Sequence, residues 1–214
     1  MVCRTGNFNV DGVTLEADVH VTPGASGVVL FVHGSGSSRH SGRNQAVAQR
    51  LREQTFDTVL MDLLTGDEER LDRFSGRLRF DIPFLARRVV GVVDQIREES
   101  PLPVGLFGAS TGAAAALVAA AARPNDVAAV VSRGGRPDLA GPVLPDVAAP
   151  TLLIVGGLDA EVLELNRQAM KQVAADVRLE IVPRASHLLA EEGALEQVAR
   201  LAGVWFSDHL KADT

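Results

Sequence analysis

The sequence predicts an α/β fold: a mostly parallel, twisted sheet of about seven or eight strands, helices on both faces, and an N-terminal antiparallel hairpin. Three observations point there. Short continuous apolar runs, such as Leu152-Leu153-Ile154-Val155, have the length and composition of strands buried on both sides. Between these runs lie stretches with helical spacing. The two kinds of segment alternate along most of the chain, the pattern of a parallel sheet built from crossover units. With 214 residues the chain is long enough for a large core and is read as a single domain over 1–214, without internal repeats or a dividing linker.

The elements follow in order. Residues 7–21 read as two strands around Asp11-Gly12, a hairpin turn signal. Residues 27–32 form an apolar strand that ends at His33, and after a glycine/serine loop residues 44–54 carry helical spacing. Residues 58–63 are the next strand. Residues 64–80, polar and charged, read as a loop. Residues 81–98 are helical, with Asp81 as cap and Pro83 in the first turn. Then come strand 104–107, an Ala-rich helix 111–123, strand 127–132, a Pro/Gly-rich connection 134–150 and strand 151–155. Helix 161–174, strand 177–182 and helix 191–210 complete the series. The 134–150 connection is too short for a large cap domain.

Composition bounds the function. Hydrophobic residues make up 46% and charged residues 22%, as in ordinary globular proteins. A net charge of -6 argues against nucleic acid or an anionic membrane as the main partner. Cys3 is the only cysteine, which excludes an intrachain disulfide and a cysteine metal cluster. The first residues hold no apolar h-region, and no apolar run reaches the length of a membrane span, so a cytoplasmic location is expected.

The chemistry concentrates after the strands, where parallel sheets carry their working residues. Gly108-Ala109-Ser110-Thr111-Gly112 matches G-x-S-x-G between a strand and a helix, the setting in which a tight turn exposes a serine as nucleophile. A Gly-Ser turn between buried elements would also give this pentapeptide. Asp159 follows strand 151–155 and His187 follows strand 177–182, so nucleophile, acid and base appear in the order Ser, Asp, His. A serine hydroxyl needs a base to take its proton, and the acid orients the imidazole and stabilises its cation. Asp159 would alternatively cap the following helix, and His187 would alternatively be a surface-loop histidine. His20 falls in the hairpin and His209 on the last helix, away from these strand ends.

The loop 33–38 has two readings. As an oxyanion hole, the backbone N–H of Ser35 would pair with that of Thr111. As a phosphate cradle it lacks both a GK[ST] ending and the third glycine of G-x-G-x-x-G. His33 is expected to lock the loop. His33 and His40 make no metal site, because no further ligand has suitable spacing. Arg133 follows strand 127–132 and, with Arg39 and His40, is a candidate for binding a substrate anion. The alternative for Arg133 is an ion pair with Asp138.

At these residues the chain resembles serine hydrolases of the α/β-hydrolase fold, in the dienelactone-hydrolase-like group, including hydrolase domains that occur fused to phosphoribosyltransferases. The stretches that carry the likeness are HGSGSSRHSGRN, MDLLTGDEE, LRFDI, GLFGASTGAAAALVAAA, VVSRGGRPDLA, APTLLIVGGLDAEVLELN and WFSDHL, spanning nearly the whole chain. The resemblance implies Ser110 as nucleophile, Asp159 and His187 as its partners, and Ser35 and Thr111 as oxyanion donors. It departs at two points: Ser110 stands where dienelactone hydrolases proper carry cysteine, and these residues hold no phosphoribosyltransferase region. The expectation is a cofactor-free, metal-free hydrolase of small carboxylic esters, lactones or thioesters, its partner a small-molecule substrate. The second class is a non-catalytic hydrolase-fold receptor or interaction module. Natural substrate and oligomeric state stay open.

Overall fold

The computed structural model describes residues 2–211, with side chains from Arg4 onward; Cys3 thus lies outside the described side chains. Eight segments are strands: β1 (Val2–Val10), β2 (Val13–Val21), β3 (Val28–Val32), β4 (Asp57–Met61), β5 (Val104–Ala109), β6 (Val127–Arg133), β7 (Thr151–Gly156) and β8 (Val177–Val182). They form one sheet in the order β1-β2-β4-β3-β5-β6-β7-β8. β1 and β2 make the expected hairpin, with Asp11 and Gly12 both at positive φ, and β2 pairs antiparallel with β4. From β4 to β8 every pairing is parallel.

Among the described residues six α-helices cover the sheet: α1 (Gly42–Glu53), α2 (Gly66–Ser75), α3 (Ile82–Glu99), α4 (Thr111–Ala122), α5 (Ala160–Met170) and α6 (Ala194–His209). β3, β5 and β7 are buried along their full length, which is why their sequences are apolar apart from Thr151 at the start of β7. The two faces still sort by alternation. Val28, Leu30 and Val32 of β3 join the core under α3 and α4, whereas Val29 and Phe31 join the core under α1 and α6. Phe31 meets Phe107 of β5 there, ring centroids 4.8 Å apart. α4 is nearly all alanine because it is buried almost all round; small side chains let its axis lie close to the sheet. The connection before β7 is a pair of short 3₁₀ turns within Pro137–Asp146, kinked at Gly141, and no large cap domain is present. Among the described residues no helix is long and apolar enough to cross a membrane.

The stretch 64–80 differs from the expected loop. It forms α2 and a 3₁₀ turn at Leu78–Phe80. A capping box starts α2: Thr65 Oγ1 accepts from the Glu68 N–H at 3.2 Å, and Glu68 Oε2 accepts from the Thr65 N–H at 2.8 Å. Asp67, Glu68 and Glu69 suit the positive helix start, and Gly76, in the left-handed conformation, ends it. The helix lacks an apolar stripe and is fastened by charge. Its buried residue, Asp72, accepts from the Leu78 N–H at 2.7 Å and from Arg79 Nε at 2.6 Å. Glu68 also accepts two bonds, of 2.9 and 2.7 Å, from Arg88 of α3, which is only 2% exposed and stacks over Phe84.

Glu68 therefore serves a helix cap and a buried cation at once. Replacing it with alanine should lower unfolding free energy by roughly 3 kcal/mol, because Arg88 is left buried without its counter-charge. Thr65→Ala, which removes one cap bond, should cost about 1 kcal/mol. Denaturant titration of both variants checks the order; a Glu68→Ala loss no larger than that of Thr65→Ala would contradict it.

Candidate active site

Ser110 lies on the turn from β5 into α4 with φ 50° and ψ -123°, a conformation that costs an ordinary residue about 1–3 kcal/mol. Neighbouring backbone holds it there. The Ser110 N–H donates to the Arg133 carbonyl at 3.3 Å, and the Ser110 carbonyl accepts from the Ala113 and Arg136 N–H groups, each at 3.1 Å. The flanking glycines answer a packing demand. A methyl on Gly108 would run into the Ala113 backbone, and one on Gly112 into the carbonyls of Val32 and His33. Strand, helix and β3 thus meet at backbone distance.

Asp159 occupies the N-cap position of α5, yet its carboxylate makes no capping bond. Its Oδ2 instead accepts from His187 Nδ1 at 2.6 Å, which leaves Nε2 as the free ring nitrogen. The two loops are knitted by backbone: Gly157 N–H donates to the Val182 carbonyl at 2.8 Å, and Leu158 N–H to the Ala185 carbonyl at 2.9 Å. Ser110 and His187 line one cavity of about 250 Å³, with Ser35, Arg43, Asn44 and Arg133. Ser110 makes no side-chain hydrogen bond to the ring; such bonds commonly tighten only when substrate binds.

The loop after β3 is anchored by His33, 8% exposed. Its Nε2 accepts from the Leu63 N–H at 3.1 Å, so Nδ1 carries the proton and donates to the Gly34 carbonyl at 2.9 Å. Burial pushes its pKa below the ordinary histidine value. The Ser35 N–H, expected to be free for an oxyanion, donates to Thr111 Oγ1 at 2.9 Å. Thr111 is the first residue of α4, where a backbone N–H has no intrahelical acceptor.

The other candidates separate. Arg39 is engaged by three carboxylates, Glu16 at 2.6 Å, Asp18 at 3.4 Å, and Asp62. The His40 side chain is 66% exposed, beside Asp18. Neither lines the cavity of Ser110. Arg133 does, and it is not paired with Asp138, whose carboxylate takes a two-pronged bond from Arg136 at 2.8 and 2.7 Å. Arg43 also lines the cavity and was not anticipated. The sequence did hold a signal for it: a cation in the first turn of a helix opposes the macrodipole. Among the described residues no group of three or more His, Cys, Asp or Glu is placed to hold a metal ion.

The depressed value of His33 sets a pH dependence. The unfolded chain takes up the proton first, near the ordinary pKa of about 6.5. The stability His33 contributes is therefore complete above that pH and is lost as pH falls through it. His20 shifts in the same direction, largely through burial. The melting temperature should fall between about pH 7 and 5. In His33→Gln part of that slope should disappear, leaving the share from His20. Identical slopes in the two proteins would show that His33 takes no part.

The protein-family model described as serine aminopeptidase, S33, matches residues 23–136, just over half of the chain. A dienelactone hydrolase from Anabaena variabilis is similar at 52% identity, covering 98% of this chain and 99% of its own, with a TM-score of 0.95. A Mycobacterium tuberculosis protein described as a phosphoribosyl transferase is 56% identical over 187 residues, 86% of this chain. The chain spans only 41% of that relative's length. A Xanthomonas campestris serine hydrolase described as lacking a lid shares the fold at 20% identity and a TM-score of 0.76. An eight-stranded sheet, a strained serine between β5 and α4, and near full-length likeness to a dienelactone hydrolase agree: the chain belongs to the α/β-hydrolase-fold hydrolases, in the dienelactone-hydrolase-like group.

Proposed function

We propose that this protein is a serine hydrolase of small carboxylic esters, lactones or thioesters, working through an acyl-enzyme with Ser110, His187 and Asp159 as its triad. One observation carries the reading: Ser110, in its strained turn, shares a cavity with a histidine whose Nδ1 is bonded to a carboxylate. In that reaction Ser110 Oγ bonds to the acyl carbon while its proton passes to His187 Nε2. The bond to the leaving oxygen or sulfur breaks, and the leaving group takes that proton. Water, deprotonated by the same nitrogen, then cleaves the acyl-enzyme. Asp159 holds the tautomer and offsets the imidazolium charge. The backbone N–H of Thr111, and that of Ser35 once Thr111 Oγ1 turns away, would face the oxyanion.

Ser110→Ala should reduce ester turnover by about three orders of magnitude or more, with the melting temperature unchanged within a few degrees. His187→Ala should match it, since the group acts as a unit. Retention of more than about a tenth of the wild-type rate by Ser110→Ala would overturn the assignment. Mass spectrometry of the wild type with a slowly deacylating ester should find the acyl group on the peptide containing Ser110.

A cavity of about 250 Å³ suits small acyl groups. Across a series of acyl chain lengths kcat/KM should peak at short chains and decline well before about ten carbons, whose apolar surface such a cavity does not bury. A rate that climbs steadily to the longest chains would contradict this.

A further inference from the structure

The exit of β6, residues 133–136, touches both the serine turn and the histidine loop. The Arg133 carbonyl accepts from the Ser110 N–H at 3.3 Å, and the Arg136 N–H donates to the Ser110 carbonyl at 3.1 Å. Gly134, at φ 50°, lies so close to the other loop that a methyl on it would meet the His187 carbonyl at 2.7 Å. Gly135 is set as tightly, since a methyl there would overlap Ser132 Oγ. The Gly135 carbonyl accepts from Asn166 Nδ2 at 3.0 Å. That carbonyl and the Arg136 N–H belong to one peptide group, which is planar and rigid. Asn166 thus grips one end of the peptide whose other end holds Ser110.

Asn166 is fully buried on α5, about two turns beyond Asp159 at the N-cap of that helix. Its Nδ2 also donates to the Val162 carbonyl, one turn back, at 2.8 Å, which fixes the side chain on its own helix. The two ends of the amide fare differently. Nδ2 has two acceptors, whereas Oδ1 is buried without a donor. Burying an amide is costly, and packing alone does not call for one here, because the other buried positions of α5 are Val162 and Ala169. The side chain is therefore kept for its NH2 group, and the bond it makes outside its own helix goes to Gly135.

We propose that Asn166 is a positioning residue of the hydrolysis: through the Gly135–Arg136 peptide it sets Ser110 relative to Asp159 and His187. The inference rests on the proposed serine-hydrolase reading and adds the side chain that holds its geometry. Asn166 touches no reacting atom. It ties the helix that begins at Asp159 to the peptide that braces the strained serine, so one amide fixes the spacing of acid and nucleophile. A strained conformation persists only where its surroundings over-determine it, and loss of this bond frees the peptide plane to turn.

Asn166→Ala removes both bonds. The substrate for the test is ethyl acetate, whose poor leaving group makes acylation the slow step. The kcat should fall about 10- to 100-fold, the cost of misplacing a reacting group by about 1 Å. KM should stay within about threefold, because Asn166 does not line the cavity of Ser110. The pH at which activity rises should not move, since the bond between His187 and Asp159 is retained. Val92→Ala, which opens a cavity in the core under α3, is the structural control: its melting temperature should fall while kcat stays within about twofold of wild type. Asn166→Leu fills the space without supplying a donor. It should show the same loss of kcat, and it carries the test if the alanine variant does not fold. A kcat for the Asn166 variants within about threefold of wild type, a loss confined to KM, or an equal loss in Val92→Ala would overturn the inference. With Ser110→Ala inactive, each of those results leaves the hydrolase reading standing. Full turnover by Ser110→Ala would remove that reading and this inference with it.

Discussion

The close approach of three backbones at Ser110 is the constraint on which the site depends. β5 delivers the chain, α4 carries it away, and the end of β3 lies across the helix start, where a methyl on Gly112 would meet its carbonyls. Only small residues satisfy that geometry, hence glycine at 108 and 112 and alanine at 109 and 113. The next strand completes the support. Arg133 offers its carbonyl to the Ser110 N–H, and Arg136 gives its N–H to the Ser110 carbonyl. Gly135 between them packs against Ala113 and Ser132, and its carbonyl accepts from Asn166 at 3.0 Å. The strain at one serine is thus balanced by bonds from β6 and its exit, and the same segment that braces the turn aims the Arg133 side chain into the cavity.

Two histidines show how environment sets one side chain in two different ways. His33 is buried, spends both ring nitrogens on backbone groups, and is held in a single tautomer by Leu63 and Gly34. It fixes the loop that carries Ser35. His187 has 39% of its side chain exposed, spends one nitrogen on Asp159 and leaves the other toward a cavity. A proton arriving at His33 would have to break the bond from Leu63, and burial holds its pKa below the ordinary histidine value.

Much of this was legible in the residues, for identifiable reasons. The parallel strands announce themselves because burial on both faces leaves β3 and β5 without a polar residue and β7 with only Thr151 at its start. Ser110 and Asp159 stand out as candidates because they follow such strands, and His187 because it follows the last strand, β8. α2 was not, because periodicity detects apolar stripes and α2 is fastened by Glu68, Asp72 and their arginines. Its capping box, Thr65 followed by Glu68, was present in the sequence and outweighed by the charge around it. Arg39 shows the opposite error: nearness in sequence to the loop after β3 says nothing of direction, and Asp62, Asp18 and Glu16 turn it away. The Thr111 side chain was equally hidden, since its bond to the Ser35 N–H joins residues 76 positions apart.

The two charge arrangements in the cavity bear on each other. The proposed esterolysis would place a positive charge on His187, and a cation held nearby would raise the energy of that state. Asp159 offsets it from one side only. Arg133 lines the same cavity, bonded to the carbonyl of Leu188, and Arg43 adds its field to that small volume. In that proposed reaction the arginines oppose the protonated intermediate, and Asp159 is the carboxylate that offsets it.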